Sequence, residues 1–140
     1  MIITLDTNVL VAAIRSRRGA SFSLLSLLPE PRFRIALSVA LYTEWHDVLL
    51  RPEHLPPGMG PDDARAFLRY LASVAHLQEV YYLWRPFLRD PDDDMVLECA
   101  VASSSRFLVT HNQRDFQKIT TLGVEPVTPA QFLDFWRNPS

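Results

Sequence analysis

The chain has 140 residues, 48% hydrophobic and 21% charged, which suits one globular domain with its own core and excludes a disordered or fibrous chain. A formal net charge of −2 excludes a protein that grips nucleic acid over its whole surface. The single cysteine, Cys99 in "LECAVA", excludes a disulfide frame and a thiolate metal site, and reads as a small helix-packing residue. No stretch is long and apolar enough to cross a membrane, and the first apolar run breaks at Asp6, too early for a signal peptide. A cytoplasmic protein, with residues 1–140 as one domain, is the expectation.

In "MIITLDTNVLVAAI" the residues Ile2, Ile3 and Leu5 surround the β-branched Thr4, as in a short buried strand. Asn8 to Ile14 then has helical spacing. Asp6 falls where the strand gives way to the helix, and two readings stay open. It caps the helix, or it faces a ligand at the carboxyl edge of a parallel sheet. "ASFSLLSLL" reads as a second helix, "RFRIALS" as a strand and "VALYTEWHDVLLR" as a helix ended by Pro52. A Pro- and Gly-rich loop precedes the helix "PDDARAFLRYLASVA", which carries two Asp in its first turn. "LQEVYYLW" reads as a strand, "DPDDDMVLECAVASS" starts a helix and "RFLVT" is a buried strand. "GVEPVTPAQFLDFWRN" closes with a short strand and a terminal helix. Strands alternating with helices predict an α/β fold: a three-layer α/β/α sandwich around a mainly parallel sheet.

The carboxylates fall unevenly along this order. Asp90, Asp92, Asp93 and Asp94 crowd one helix N-terminus, more acids than capping needs, and a bound cation would relieve their repulsion. Asp94 lies at one end of the buried stripe through Leu97 and Val101, whereas Asp92 faces solvent or caps. Glu44 sits at the edge of the stripe Leu41, Trp45, Val48 and Leu49, with Ala40, Leu41, Asp47 and Val48 at its helical neighbour positions. None of these can pair with it, so a half-buried Glu44 calls for a cation from elsewhere in the fold. The strand "LVT" runs into "HNQRDF", where Thr110, Asn112 and Asp115 lie near a strand end; Asp115 reads equally as a cap. His111 beside them reads as a bystander. Thirteen of the fourteen basic residues are Arg, and Arg15, Arg17 and Arg18 follow the first helix as a candidate phosphate track.

The ordered segments "LDTNVLV", "TEWHDVL", "DPDDDMVLECAVA" and "FLVTHNQRDF" together resemble the PIN domain, a nuclease family that includes the VapC-type toxins. The resemblance spans nearly the whole chain and is nearest to the toxin–antitoxin branch. It implies Asp6, Glu44 and Asp94 as the catalytic and metal-holding acids, with Asp94 preferred over Asp93 by its spacing to Thr110. It further implies hydrolysis of single-stranded RNA, a small antitoxin partner and a homodimer. One position departs: the family commonly carries "T-x-D" after this strand, and Asn112 stands in place of that Asp.

An all-oxygen donor set selects a hard cation, Mg²⁺ or Mn²⁺, which can polarise water and neutralise a phosphodiester. Thr7, Asn8 and Thr110 would orient the acids and their waters. With Asn112 in place of a carboxylate, the fourth acid is missing unless Asp115 swings in, and full occupancy by two ions does not follow. A haloacid-dehalogenase-type phosphotransferase would need a second Asp where Asn8 stands, and the paired acids and Lys of a phospho-receiver are missing. The alternative to a ribonuclease is a degenerate PIN fold that binds RNA or protein without catalysis, and Asn112 is its main support.

Overall fold

The computed structural model describes residues 1–80 and 94–138. Five strands, β1 (Ile2–Leu5), β2 (Arg34–Leu37), β3 (His76–Leu77), β4 (Phe107–Val109) and β5 (Glu125–Val127), form one sheet in the order β3-β2-β1-β4-β5. Every pairing is parallel, with Ile3 opposite Ile35 on one side of β1 and Thr4 opposite Leu108 on the other. Successive residues of a strand point to opposite faces. Ile3, Thr4 and Leu5 are nonetheless all fully buried, so helices cover both faces of the sheet. This is the α/β architecture expected from the alternation of elements.

Among the described residues six α-helices surround the sheet: α1 (Thr7–Arg15), α2 (Ala20–Leu25), α3 (Val39–Leu49), α4 (Pro61–Val74), α5 (Asp94–Ala102) and α6 (Pro129–Arg137). Local chemistry fixes their ends. Ser38 caps α3 by accepting from the Leu41 N–H, and Thr128 with Gln131 forms a capping box at α6, after which Pro129 supplies the first helical φ. Helix α5 packs on β1, β2 and β4 and touches α3. Cys99 is buried there, and burial pushes its thiol up to about 11, so it packs rather than reacts.

One expectation is corrected. Among the described residues the third strand is the dipeptide His76–Leu77 rather than "LQEVYYLW": the Gln78 N–H still donates to the Leu37 carbonyl at 2.8 Å, but Glu79 and Val80 do not continue the strand; Tyr81, Tyr82 and Trp84 lie outside the described residues. The polar run after β4 is a 3₁₀ segment, Gln113–Leu122, closed by Gly123 at φ +84°, a conformation that only glycine adopts without strain. The aromatic residues of α6 form no exposed patch. Phe132 is fully buried, and Phe135 and Trp136 pack edge-on against Phe107 and Phe33 with ring centroids 5.0 and 4.9 Å apart. Arg106 and Arg32 cover the outer faces of these two rings.

Candidate active site

In the strand order, β1 is flanked by β2 on one side and β4 on the other, so the chain's direction of winding switches between β1 and β4. Such a switch opens a crevice at the carboxyl ends of the strands. Asp6 follows β1 and Thr110 follows β4, and the Thr110 hydroxyl donates to Asp6 Oδ2 across that crevice at 2.7 Å. The sheet prolongs itself beneath them, with the Asp6 N–H on the Val109 carbonyl at 2.9 Å and the Thr110 N–H on Val127 at 2.8 Å. Two polar side chains are thereby placed by rigid strands rather than by loops.

Asp6 occupies the cap position of α1, yet its side chain makes no capping hydrogen bond. It is 5% exposed, and burial pushes its carboxyl from 3.8 up to about 6. The hydrogen bonds from Thr110 and from the Thr7 backbone act in the other direction and lose to burial, while the charges of Glu44 and Asp115 add to the rise. Capping alone does not explain a carboxylate held at this cost.

Glu44 reaches the same place from α3. The sequence offers no pairing residue three or four positions away; a partner comes instead from across the fold, where the Thr7 hydroxyl of α1 donates to Glu44 Oε2. That partner is a neutral hydroxyl thirty-seven positions away in the chain, so it leaves the negative charge in place. Asn8 bridges to the β4 side, its Nδ2 donating to Thr110 Oγ1 at 3.5 Å and its Oδ1 accepting from the His111 N–H at 3.3 Å. The Asn112 N–H also donates to Thr110 Oγ1, at 2.9 Å. Thr110 thus ties together Asp6, Asn8 and Asn112.

These residues line one open cleft of about 600 Å³, with Arg15, Ser16, Val48 and His54 on its walls beside Asp6, Thr7, Asn8, Glu44 and Asn112. Of the three arginines in the candidate track, Arg15 alone lines this cleft; Arg17 lines a neighbouring cavity between α1, α2 and the loop before α4. Asp115 is no cap, since Asn112 holds the cap position of the 3₁₀ segment, and its charge acts on Asp6 instead. Asp94 opens α5, but its side chain and the residues Asp90, Asp92 and Asp93 lie outside the described residues. A buried acid of α5 that the sequence reading did not single out, Glu98, lines a different cavity with Ser38, Tyr42 and Gln78. His54 was likewise not singled out as a site residue; it enters the cleft from a single 3₁₀ turn, Pro52–His54.

The donor chemistry suits a hard divalent cation. Asp6 and Glu44 offer oxygen only, and a cation would offset both the burial that chiefly raises Asp6 and the smaller repulsion from Glu44. Among the described residues no three His, Cys, Asp or Glu side chains close around one metal position, so Asp6 and Glu44 require a further acid to complete such a site.

Comparison with known proteins agrees with this geometry. The chain resembles a chain in the 2.2 Å structure of VapBC-1 from nontypeable Haemophilus influenzae, with a TM-score of 0.63 and 19% identity over 93% of this chain and 99% of that one. It also resembles a chain in VapBC2 from Rickettsia felis bound to a DNA fragment from their promoter, with a TM-score of 0.62 and 20% identity over 90% and 98%. At this identity the likeness establishes the fold. The comparison with curated proteins returned no match. The family model for the PIN domain matches residues 3–114, which take in most of β1 and all of α1, α3, α5 and β4, with Asp6, Glu44 and Asp94 among them, and the chain belongs to the PIN domain family.

Proposed function

We propose that this protein is a metal-dependent endoribonuclease of the VapC toxin type, hydrolysing phosphodiester bonds of single-stranded RNA. The observation that carries the reading is Asp6: a carboxylate at the sheet's switch point, buried, raised to about 6, and raised partly by two further acids. Membership of a nuclease family and the VapBC structural neighbours support it. Mg²⁺ or Mn²⁺ would be held by Asp6 and Glu44 together with Asp94 at the start of α5, with Asp93 and Asp115 as further candidates. Bound there, the cation supplies charge neutralisation for the phosphodiester and makes water a better nucleophile.

The chain's own residues do the rest. Thr110 holds Asp6 Oδ2, Thr7 fixes Glu44 at the cleft edge, and Asn8 locks Thr110 in place. Arg15 presents a guanidinium to an incoming phosphate. A small protein antitoxin and a homodimer are the partners this reading brings with it. Among the described residues no helix is long and apolar enough to cross a membrane.

The test is cleavage of a fluorophore-labelled single-stranded RNA with Mn²⁺, Mg²⁺ or chelator, by the parent protein and by Asp6→Asn. Metal-dependent cleavage that the variant loses supports the reading. One observation favours the second reading, a PIN fold that binds RNA or protein without cutting: Asn112 lines the cleft where the family commonly has an acid. Tight RNA binding with no cleavage under any metal would establish it.

A further inference from the structure

Among the described residues His54 is the one imidazole lining the cleft. Two hydrogen bonds fix its position, one within its own turn and one to the last turn of α3. Its backbone N–H donates to the Arg51 carbonyl at 2.9 Å, and its ring Nδ1 lies 2.7 Å from the Val48 carbonyl oxygen. A carbonyl oxygen can only accept, so Nδ1 carries the hydrogen. In the neutral ring that leaves Nε2 as a bare lone pair, an acceptor whose tautomer is set by the backbone. Nε2 makes no hydrogen bond among the described residues, and the half-buried ring sits on the wall of the cleft that holds Asp6 and Glu44.

An acceptor in that place does not suit phosphate oxygens, which also only accept. The donor that every RNA nucleotide offers, whatever its base, is the ribose 2′-hydroxyl, and DNA lacks it. Resting on the ribonuclease reading above, we propose that His54 Nε2 accepts a hydrogen bond from a ribose 2′-hydroxyl next to the scissile phosphate. His54 is thus a substrate-contacting residue that makes the cleft prefer RNA.

Two conservative variants separate this role from a merely structural one. His54→Asn keeps an amide donor near the Nδ1 position, so the tie to Val48 survives, but offers nothing near Nε2. His54→Gln places its amide near Nε2, where its oxygen accepts. The substrates are one single-stranded RNA oligonucleotide and a set in which each nucleotide in turn is 2′-deoxy, cleaved with Mn²⁺. In the parent protein, one deoxy position beside the cut should lower kcat/KM by about 3- to 10-fold, the worth of one neutral hydrogen bond. His54→Asn should lose the same factor on all-RNA substrate and become indifferent to that position, while His54→Gln recovers part of both effects. This non-additivity marks a direct contact. Full discrimination retained by His54→Asn, or equal loss in both variants tracking a lower Tm, would overturn the proposal while the ribonuclease reading stands. A parent protein that cleaves no RNA with metal overturns that reading and this inference with it.

Discussion

Asp6→Asn should stabilise the protein at neutral pH although it removes the central acid of the site. The folded state holds the Asp6 carboxyl at about 6 against an ordinary 3.8, and that gap corresponds to roughly 3 kcal/mol. Because the folded value is the higher one, the folded state binds more protons between about pH 4 and 6. The parent therefore loses stability as pH rises through that window, and a side chain that cannot ionise does not. Asparagine keeps an oxygen to accept from Thr110, but its Nδ2 needs an acceptor of its own, which offsets about 1–2 kcal/mol. A net gain of about 1–2 kcal/mol at pH 7.5 is expected, or a rise in Tm of about 4–8 °C.

Thermal melts at pH 7.5 and pH 4.5, without metal, read this out. At pH 4.5 roughly two-thirds of the parent's cost is gone, so the advantage of the variant should vanish. Adding Mn²⁺ at pH 7.5 should raise the Tm of the parent and leave that of Asp6→Asn unchanged, since only the parent holds the ion in its folded state. The same Tm difference at both pH values, or a variant less stable than its parent at pH 7.5, would refute the buried-charge reasoning.

Asn112→Asp adds a charge to the cleft wall, and at an effective dielectric of about 20 a charge about 4 Å from a divalent ion gains several kcal/mol before desolvation. Calorimetry should show Mn²⁺ binding at least about tenfold tighter than in the parent. Thr110→Val removes the donor to Asp6 and the acceptor for Asn8 and Asn112, so chemical denaturation should show a loss of about 1–3 kcal/mol together with weaker metal binding. Arg15→Ala should flatten the salt dependence of RNA binding by about one counterion, measured by fluorescence anisotropy. The pair Arg17→Ala and Arg18→Ala should change the slope less, because neither residue lines the cleft.

What the sequence revealed and what it hid divides along the range of the interactions. The strand from Ile2 to Leu5, the helix after Asp6 and the buried run before Thr110 are each set by neighbours a few residues apart, and periodicity exposes them. The partner of Glu44 is Thr7, thirty-seven positions away, and no local pattern announces it. The third strand misleads because "LQEVYYLW" has strand composition, while among the described residues the strand is only His76 and Leu77, in register with Ala36 and Leu37. His54 escapes for a similar reason, since a short turn after a helix carries no periodic signal.

The departure at Asn112 shows the limit most clearly. Read position by position, it is the loss of a fourth acid. Asn112 caps the 3₁₀ segment that follows and lies on the cleft wall, while Asp115, inside that segment, does not line the cleft but is near enough for its charge to help raise Asp6. The sequence offers Asp115 as the acid that could stand in for the missing one, and only the fold gives the strength of that contribution. Asp115 remains exposed to solvent, so its charge is screened more than one at Asn112 would be. The negative charge absent at Asn112 is thus partly restored one turn later, from a weaker position.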